Sequence, residues 1–209
     1  MCIHDHKTPI NLGFTEQEIH AGTHICFIYN NEAERRDITV KFLASAFHDN
    51  EKVVFFADKW NTTELKQQLS EEGVDVALAE ESGELTISDV SAAYFPNGSF
   101  SAEEMWQRLS SAYDDSIESG YKGWRGAGEM TWALRDVAGS DQLIKYESGL
   151  NNEMKTRPYT VFCQYDANLF SGAMLLEVLR VHPYMIAKGK VVDNPHYEEN
   201  LNQDRQAMA

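Results

Sequence analysis

From residue 24 onward, short apolar runs and longer amphipathic stretches take turns along the chain, and this alternation limits the fold more than any other feature. His24-Ile25-Cys26-Phe27-Ile28-Tyr29 is a brief run of β-branched and aromatic residues and reads as a strand. Ala33–His48 follows with helical spacing through Ile38, Phe42 and Ala46. Lys52–Ala57 is a second apolar run, and Asn61 with Glu64 three residues later marks a helix start that Gly73 stops. Glu84–Ser88 is a third strand, and Ser101 with Glu104 caps a helix carrying Met105, Leu109 and Ala112. Trp124–Trp132 is strand-like but interrupted by Gly126 and Gly128. Asp141–Met154 carries an inner stripe of Leu143, Tyr146, Leu150 and Met154. Tyr159–Tyr165 is the strongest strand of the second half, a helix from about Ser171 must end at His182-Pro183, and Val191–Val192 completes the series.

Strands and helices alternating at these lengths predict an α/β fold, a three-layer sandwich around a mainly parallel sheet of about five to seven strands. His24–Tyr29, Val53–Ala57 and Thr160–Tyr165 are expected inside the sheet, because both of their faces are apolar or aromatic. The expected organisation is a polar arm over residues 1–20 with a short helix at Thr15–His20, one domain over 21–197, and a polar tail over 198–209. Ligands of such sheets sit at the carboxyl ends of the strands, which directs attention to Tyr29, Asp58, Asp89, Glu129, Tyr165 and Asp166.

Charge narrows the function classes. Eighteen Lys and Arg against 33 Asp and Glu leave a formal charge of -15. Binding a phosphate backbone needs clustered cations, so direct contact with nucleic acid is not expected, and an anionic membrane surface is disfavoured too. No apolar run reaches the length of a membrane span and no signal-peptide core precedes Phe14, so the expected location is cytoplasmic. Three scattered cysteines do not make a disulfide framework.

The first strand-to-helix turn reads Tyr29-Asn30-Asn31-Glu32-Ala33-Glu34-Arg35-Arg36-Asp37, without glycine or lysine and with two glutamates. A phosphate cradle needs glycines for backbone approach and a lysine for the terminal phosphates, so nucleotide hydrolysis is not expected. His24 and Cys26 are two apart on one strand and therefore share a face. With Cys163 and His182 from other elements they form a set of the kind that holds zinc or another soft metal. The C-x-x-C and H-x-x-x-H spacings that decide such cases are absent, and on spacing alone small core cysteines are favoured. Glu129, Trp132 and Tyr165 read either as a polar anchor with aromatic walls at the strand ends or as ordinary loop and capping residues.

Taken in order, Gly22-Thr23-His24-Ile25-Cys26-Phe27-Ile28-Tyr29, Glu34-Arg35, Glu129-Met130-Thr131-Trp132, Cys163-Gln164-Tyr165-Asp166, His182-Pro183 and Asn194-Pro195-His196-Tyr197 resemble the MEDS domain, the methanogen/methylotroph, DcmR-type sensory domain. The resemblance covers about Gly13 to Tyr197. It implies a RecA/KaiC-like core whose phosphate loop has been lost. It also implies a non-catalytic sensory module of a prokaryotic signalling or transcriptional system, binding a small hydrocarbon-derived molecule and acting through an output domain or partner protein. The family's motif residues fall on His24, Cys26, Cys163 and His182, which are expected to line one cavity with Tyr29, Glu129, Trp132 and Tyr165 at its rim. Whether a metal or other cofactor binds there stays open at this point. The alternative is a divergent ATPase-like or thiol- or metal-dependent enzyme using Glu129 or Cys163. Little chain follows Tyr197, so the output is expected on a separate partner or in a longer regulator.

Overall fold

Runs that are apolar on both faces end in the middle of a sheet, because only there are both faces covered. A computed structural model describes residues 8–199. In chain order it contains β1 (Pro9–Ile10), β2 (Ile19–His20), β3 (His24–Tyr29), α1 (Glu32–His48), β4 (Glu51–Ala57), α2 (Thr62–Glu71), α3 (Val76–Glu81), β5 (Leu85–Asp89) and α4 (Val90–Tyr94). The second half adds α5 (Ala102–Glu118), β6 (Gly123–Glu129), α6 (Leu143–Glu153), β7 (Thr160–Asp166), α7 (Gly172–Val181), β8 (Tyr184–Ala187) and β9 (Lys190–Asp193).

The main sheet has seven strands in the order β5-β4-β6-β7-β3-β8-β9. All neighbours run parallel except β8 and β9. The expected α/β sandwich with β3, β4 and β7 inside the sheet is the observed fold. Side chains alternate across it: Ile25, Phe27 and Tyr29 of β3 join one core with Phe42, Leu43 and Phe55. Cys26 and Ile28 face the second core, where Cys163, Tyr146 and Leu150 lie.

The helix ends follow their capping residues. Asn31 accepts hydrogen bonds from the backbone of Ala33 and Glu34, Asn61 does the same for α2, and Ser101 for Glu104. At the other end of α7, Pro183 holds His182 in an extended conformation at the C-cap. That turn aims the His182 ring back under the helix.

The described part of the amino-terminal stretch differs from the expected arm. Residues Ile19–His20 form a strand that pairs antiparallel with Pro9–Ile10, not a helix. Leu12 is fully buried. Gly13 has φ +76°, and a Cβ there would lie 2.2 Å from the Lys41 carbonyl oxygen, so only glycine fits. The fully buried Arg125 donates to the Asn11 carbonyl (2.7 Å) and Ser45 Oγ (2.8 Å), and pairs with Asp49 (3.0 Å) and Glu51. These bonds fasten residues 9–13 to α1, β4 and β6. His4, His6 and Cys2 lie outside the described residues.

Candidate functional site

The second core contains a buried polar cluster that no apolar-packing argument requires. β3 contributes His24, β7 contributes Cys163 and Tyr165, the C-cap of α7 contributes His182, and α6 contributes Glu147. His24, Glu147, His182 and Tyr165 are all at most 1% exposed, and Cys163 is also buried. β3 and β7 are adjacent in register with Cys26 opposite Cys163, which places the two cysteines one strand spacing apart, roughly 4.8 Å.

The hydrogen bonds at the two Nδ1 atoms have directions fixed by chemistry. The Val181 carbonyl can only accept, so the Asn151 amide donates to it through Nδ2 (2.8 Å) and turns Oδ1 towards His24. His24 therefore donates through Nδ1 to Asn151 Oδ1 (2.9 Å). His182 likewise donates through Nδ1 to the Val178 carbonyl (2.8 Å). Both Nε2 atoms face Glu147 Oε2: His24 Nε2 is in a 3.0 Å hydrogen bond with it, which the ring donates when Nε2 carries a proton, and His182 Nε2 lies 3.3 Å away. His182 Nε2 is out of line for a hydrogen bond and has no such partner. Cys163 Sγ lies 3.7 Å from His24 Nε2 and donates to Glu147 Oε2 at 3.4 Å, while the Tyr165 hydroxyl donates to Glu147 Oε1 at 2.6 Å.

Electrostatics follow from this burial. Burial by itself pushes the Glu147 carboxyl up, but the His182 and His24 rings, when they carry the proton and donate to it, outweigh burial and hold the group well below the usual carboxylate range. His24 is lowered by burial and then by the neighbouring His182. The Cys163 thiol is raised by burial and then by the Glu147 charge. Among the described residues, the side chains with donor atoms placed to hold a metal together are His24, Glu147, Cys163 and His182, all within 4.8 Å of one another. Cys26 is outside that set, and burial pushes its thiol up to about 12.

The structure thus brings together His24, Cys163, His182 and Tyr165, with Tyr165 inside the cluster and not at a rim. It also adds Glu147, which the sequence reading did not single out. That residue sits one position beyond Tyr146 and on the same inner face as Leu143 and Leu150. A carboxylate in the i+4 place of an apolar stripe was the available signal. The space next to Cys163, bounded by Tyr94, Trp124, Gly126 and Tyr146, measures about 10 Å³, room for about one water.

The structure places Tyr29, Glu129 and Trp132 elsewhere. Glu129 Oε2 accepts from the backbone N–H groups of Asp58, Lys59 and Trp60 at 2.7, 2.9 and 3.0 Å. Its Oε1 accepts from Arg35 Nη1 at 3.2 Å, and Arg35 also donates to Gln164 Oε1 at 3.1 Å. The Arg35 guanidinium lies over the rings of Trp60 and Tyr29. With both oxygens engaged, this carboxylate locks the loop after β4 to β6 and α1, and has little capacity left to take a proton from a substrate. Trp132 is fully buried and stacks on Tyr94 at 4.7 Å, beside Phe100 at 4.6 Å.

The family model of the MEthanogen/methylotroph, DcmR Sensory domain matches residues 23–183. The chain belongs to the MEDS family. This MEDS chain is 28% identical over 160 residues to the transcriptional repressor DcmR of Methylorubrum extorquens, a stretch covering 76% of this chain and 57% of the repressor. It therefore spans little more than half the length of that relative. Two solved structures from Pyrococcus horikoshii share the fold. A KaiC-like protein aligns with a TM-score of 0.54 at 14% identity, over 79% of this chain and 70% of its own. An uncharacterized protein solved with an unknown peptide aligns with a TM-score of 0.58 at 19% identity, over 83% and 82%. The MEDS core is thus RecA/KaiC-like in architecture, and it carries acidic residues in the first turn of α1 where a phosphate loop would need glycines and lysine.

Proposed function

We propose that this MEDS chain is a non-catalytic sensory domain that binds a small, hydrocarbon-derived organic molecule at or beside the His24–Glu147–Cys163–His182 cluster. The observation that carries this reading is a polar set sealed in an apolar core where β3, α6, β7 and α7 meet. Burying such groups costs stability unless they have a task, and a sensor provides one. The adjoining space of about 10 Å³ is far smaller than ligand pockets, which run to about 300 Å³ and more, so an entering molecule must displace side chains of α6 or α7. Binding then favours one of two arrangements of those helices, which is how a buried event reaches the surface.

The output belongs to a signalling domain or partner protein, on the same polypeptide or another. A formal charge of -15 supports assigning any contact with DNA to that output, in a cytoplasmic regulatory system. Among the described residues no helix is long and apolar enough to cross a membrane. The test is native mass spectrometry of freshly purified chain, followed by thermal shifts against one- to four-carbon alcohols, amines, acids and halides. At least one compound should stabilise the wild type and fail to stabilise Glu147→Gln. Micromolar ATP binding with measurable hydrolysis, and no response to the panel, would overturn the reading in favour of a divergent ATPase.

A further inference from the structure

We infer that His24 Nε2, His182 Nε2, Cys163 Sγ and Glu147 Oε2 are the four ligands of a tetrahedral divalent transition-metal site, with zinc(II) as its natural occupant. Both Nδ1 atoms are committed as donors to carbonyl oxygens, so each ring turns only its Nε2 to the same carboxylate oxygen, at 3.0 Å in a hydrogen bond from His24 and at 3.3 Å from His182. A positive charge belongs among these groups, carried either by a proton on an Nε2 or by a metal ion that takes that proton's place. Protonating both imidazoles would place two cations with ring centroids 4.1 Å apart in the core. A metal ion supplies the charge instead and gives His182 Nε2, fully buried and without a hydrogen-bond partner, something to bind.

The spacing of the donor atoms matches a tetrahedral shell. Around an ion with bonds of about 2.0–2.3 Å, tetrahedral edges are about 3.3 Å between nitrogen and oxygen ligands and about 3.6 Å to sulfur. The observed edges are 3.0 and 3.3 Å from the two nitrogens to oxygen, 3.7 Å from sulfur to the His24 nitrogen and 3.4 Å from sulfur to oxygen. The remaining pairs are within 4.8 Å. A donor set of two imidazoles, a thiol and a carboxylate suits a borderline-soft ion and excludes magnesium and calcium, which demand oxygen shells.

The surrounding hydrogen bonds complete the case. Metal-binding histidines donate their other ring N–H to a carbonyl or carboxylate that fixes tautomer and ring orientation. Here Asn151 does this for His24, the Val178 carbonyl for His182, and Tyr165 holds the second oxygen of Glu147. Two neutral imidazoles, one thiolate and one carboxylate also balance a divalent ion to zero net charge, the arrangement a buried site tolerates best. Four protein ligands leave no open position. If the sensory reading above holds, an organic ligand reaches the ion only by replacing one of them; the metal assignment itself does not depend on that reading.

The experiment is metal analysis of the whole chain purified without chelator, with cobalt(II) replacing the ion in a second sample. Near one zinc per chain is expected, with a thiolate-to-cobalt charge-transfer band that disappears in Cys163→Ser and persists in Cys26→Ser. If Cys163→Ser fails to fold, His182→Asn serves in its place, with a loss of tenfold or more in zinc affinity expected. A folded wild-type chain that takes up neither ion, or a cobalt spectrum unchanged by Cys163→Ser, would overturn the assignment. Neither result bears on organic-ligand binding, which the thermal-shift panel reads separately.

Discussion

His24 and His182, 158 positions apart in the chain, turn their Nε2 atoms onto the same oxygen of Glu147 from opposite elements of the fold. That convergence makes Glu147 the residue on which the cluster depends. Replacing it with alanine leaves two buried imidazoles without the carboxylate that both face, and losing one member of a buried charged set costs about 3–5 kcal/mol. For a chain of this size that corresponds to a fall of roughly 10 °C in Tm. A melting curve followed by circular dichroism measures it, and a Tm within a degree or two of wild type would contradict the role given to Glu147.

Asn151 acts one step further out, as a positioning residue. Its substitution by alanine removes the acceptor of His24 Nδ1–H and the donor to the Val181 carbonyl, costing about 1–2 kcal/mol of stability. Loss of such an orienting partner also lowers metal affinity by roughly 10–100-fold. Competition against a chromophoric chelator separates the two effects. A destabilised variant with unchanged zinc affinity would make Asn151 purely structural.

Glu129 should behave differently, because its bonds lead away from the cluster. A glutamine there keeps the shape but removes the charge that Arg35 and three backbone N–H groups share. The expected cost is about 2–4 kcal/mol, with faster amide exchange at Asp58, Lys59 and Trp60. Metal content should stay at the wild-type level. Exchange mass spectrometry and metal analysis on one preparation decide the matter, and metal loss in this variant would show that the two networks are coupled.

Cys26 offers a pH test. Only the thiolate attacks an alkylating agent, and a pKa of about 12 leaves about one thiolate in ten thousand at pH 8, falling further as pH drops. Burial slows the reaction again. Peptide-level mass spectrometry after iodoacetamide treatment should find Cys26 unmodified in native protein at pH 8 and modified in urea. Rapid native labelling would mean that β3 opens far more readily than its place inside the sheet implies.

How much of this was readable beforehand depends on the range of the signal. The strands around Cys26 and Cys163 and the capped helices at Asn61 and Ser101 declare themselves through local periodicity and turn chemistry, and the parallel sheet follows from their alternation. Strands of two residues, such as Pro9–Ile10 and Ile19–His20, are too short to show a period, so the amino-terminal stretch looked like a free arm. His24, Cys163 and His182 were legible as chemistry, although nothing local says that they meet. Glu147 was hidden because its neighbours Tyr146 and Leu150 define an apolar stripe, and a single acid within it looks like a surface residue. Glu129 lies away from the cluster, because its partners, Arg35 and the loop at 58–60, arrive from distant parts of the chain.

Crystallography with anomalous scattering at the zinc absorption edge tests the central claim most directly. A single strong peak should lie about 2.0–2.3 Å from His24 Nε2, His182 Nε2, Cys163 Sγ and Glu147 Oε2, with Tyr165 still bonded to the other carboxylate oxygen. A map with no peak at the cluster, from crystals grown with zinc present, would contradict the account and return the four side chains to a hydrogen-bonded core.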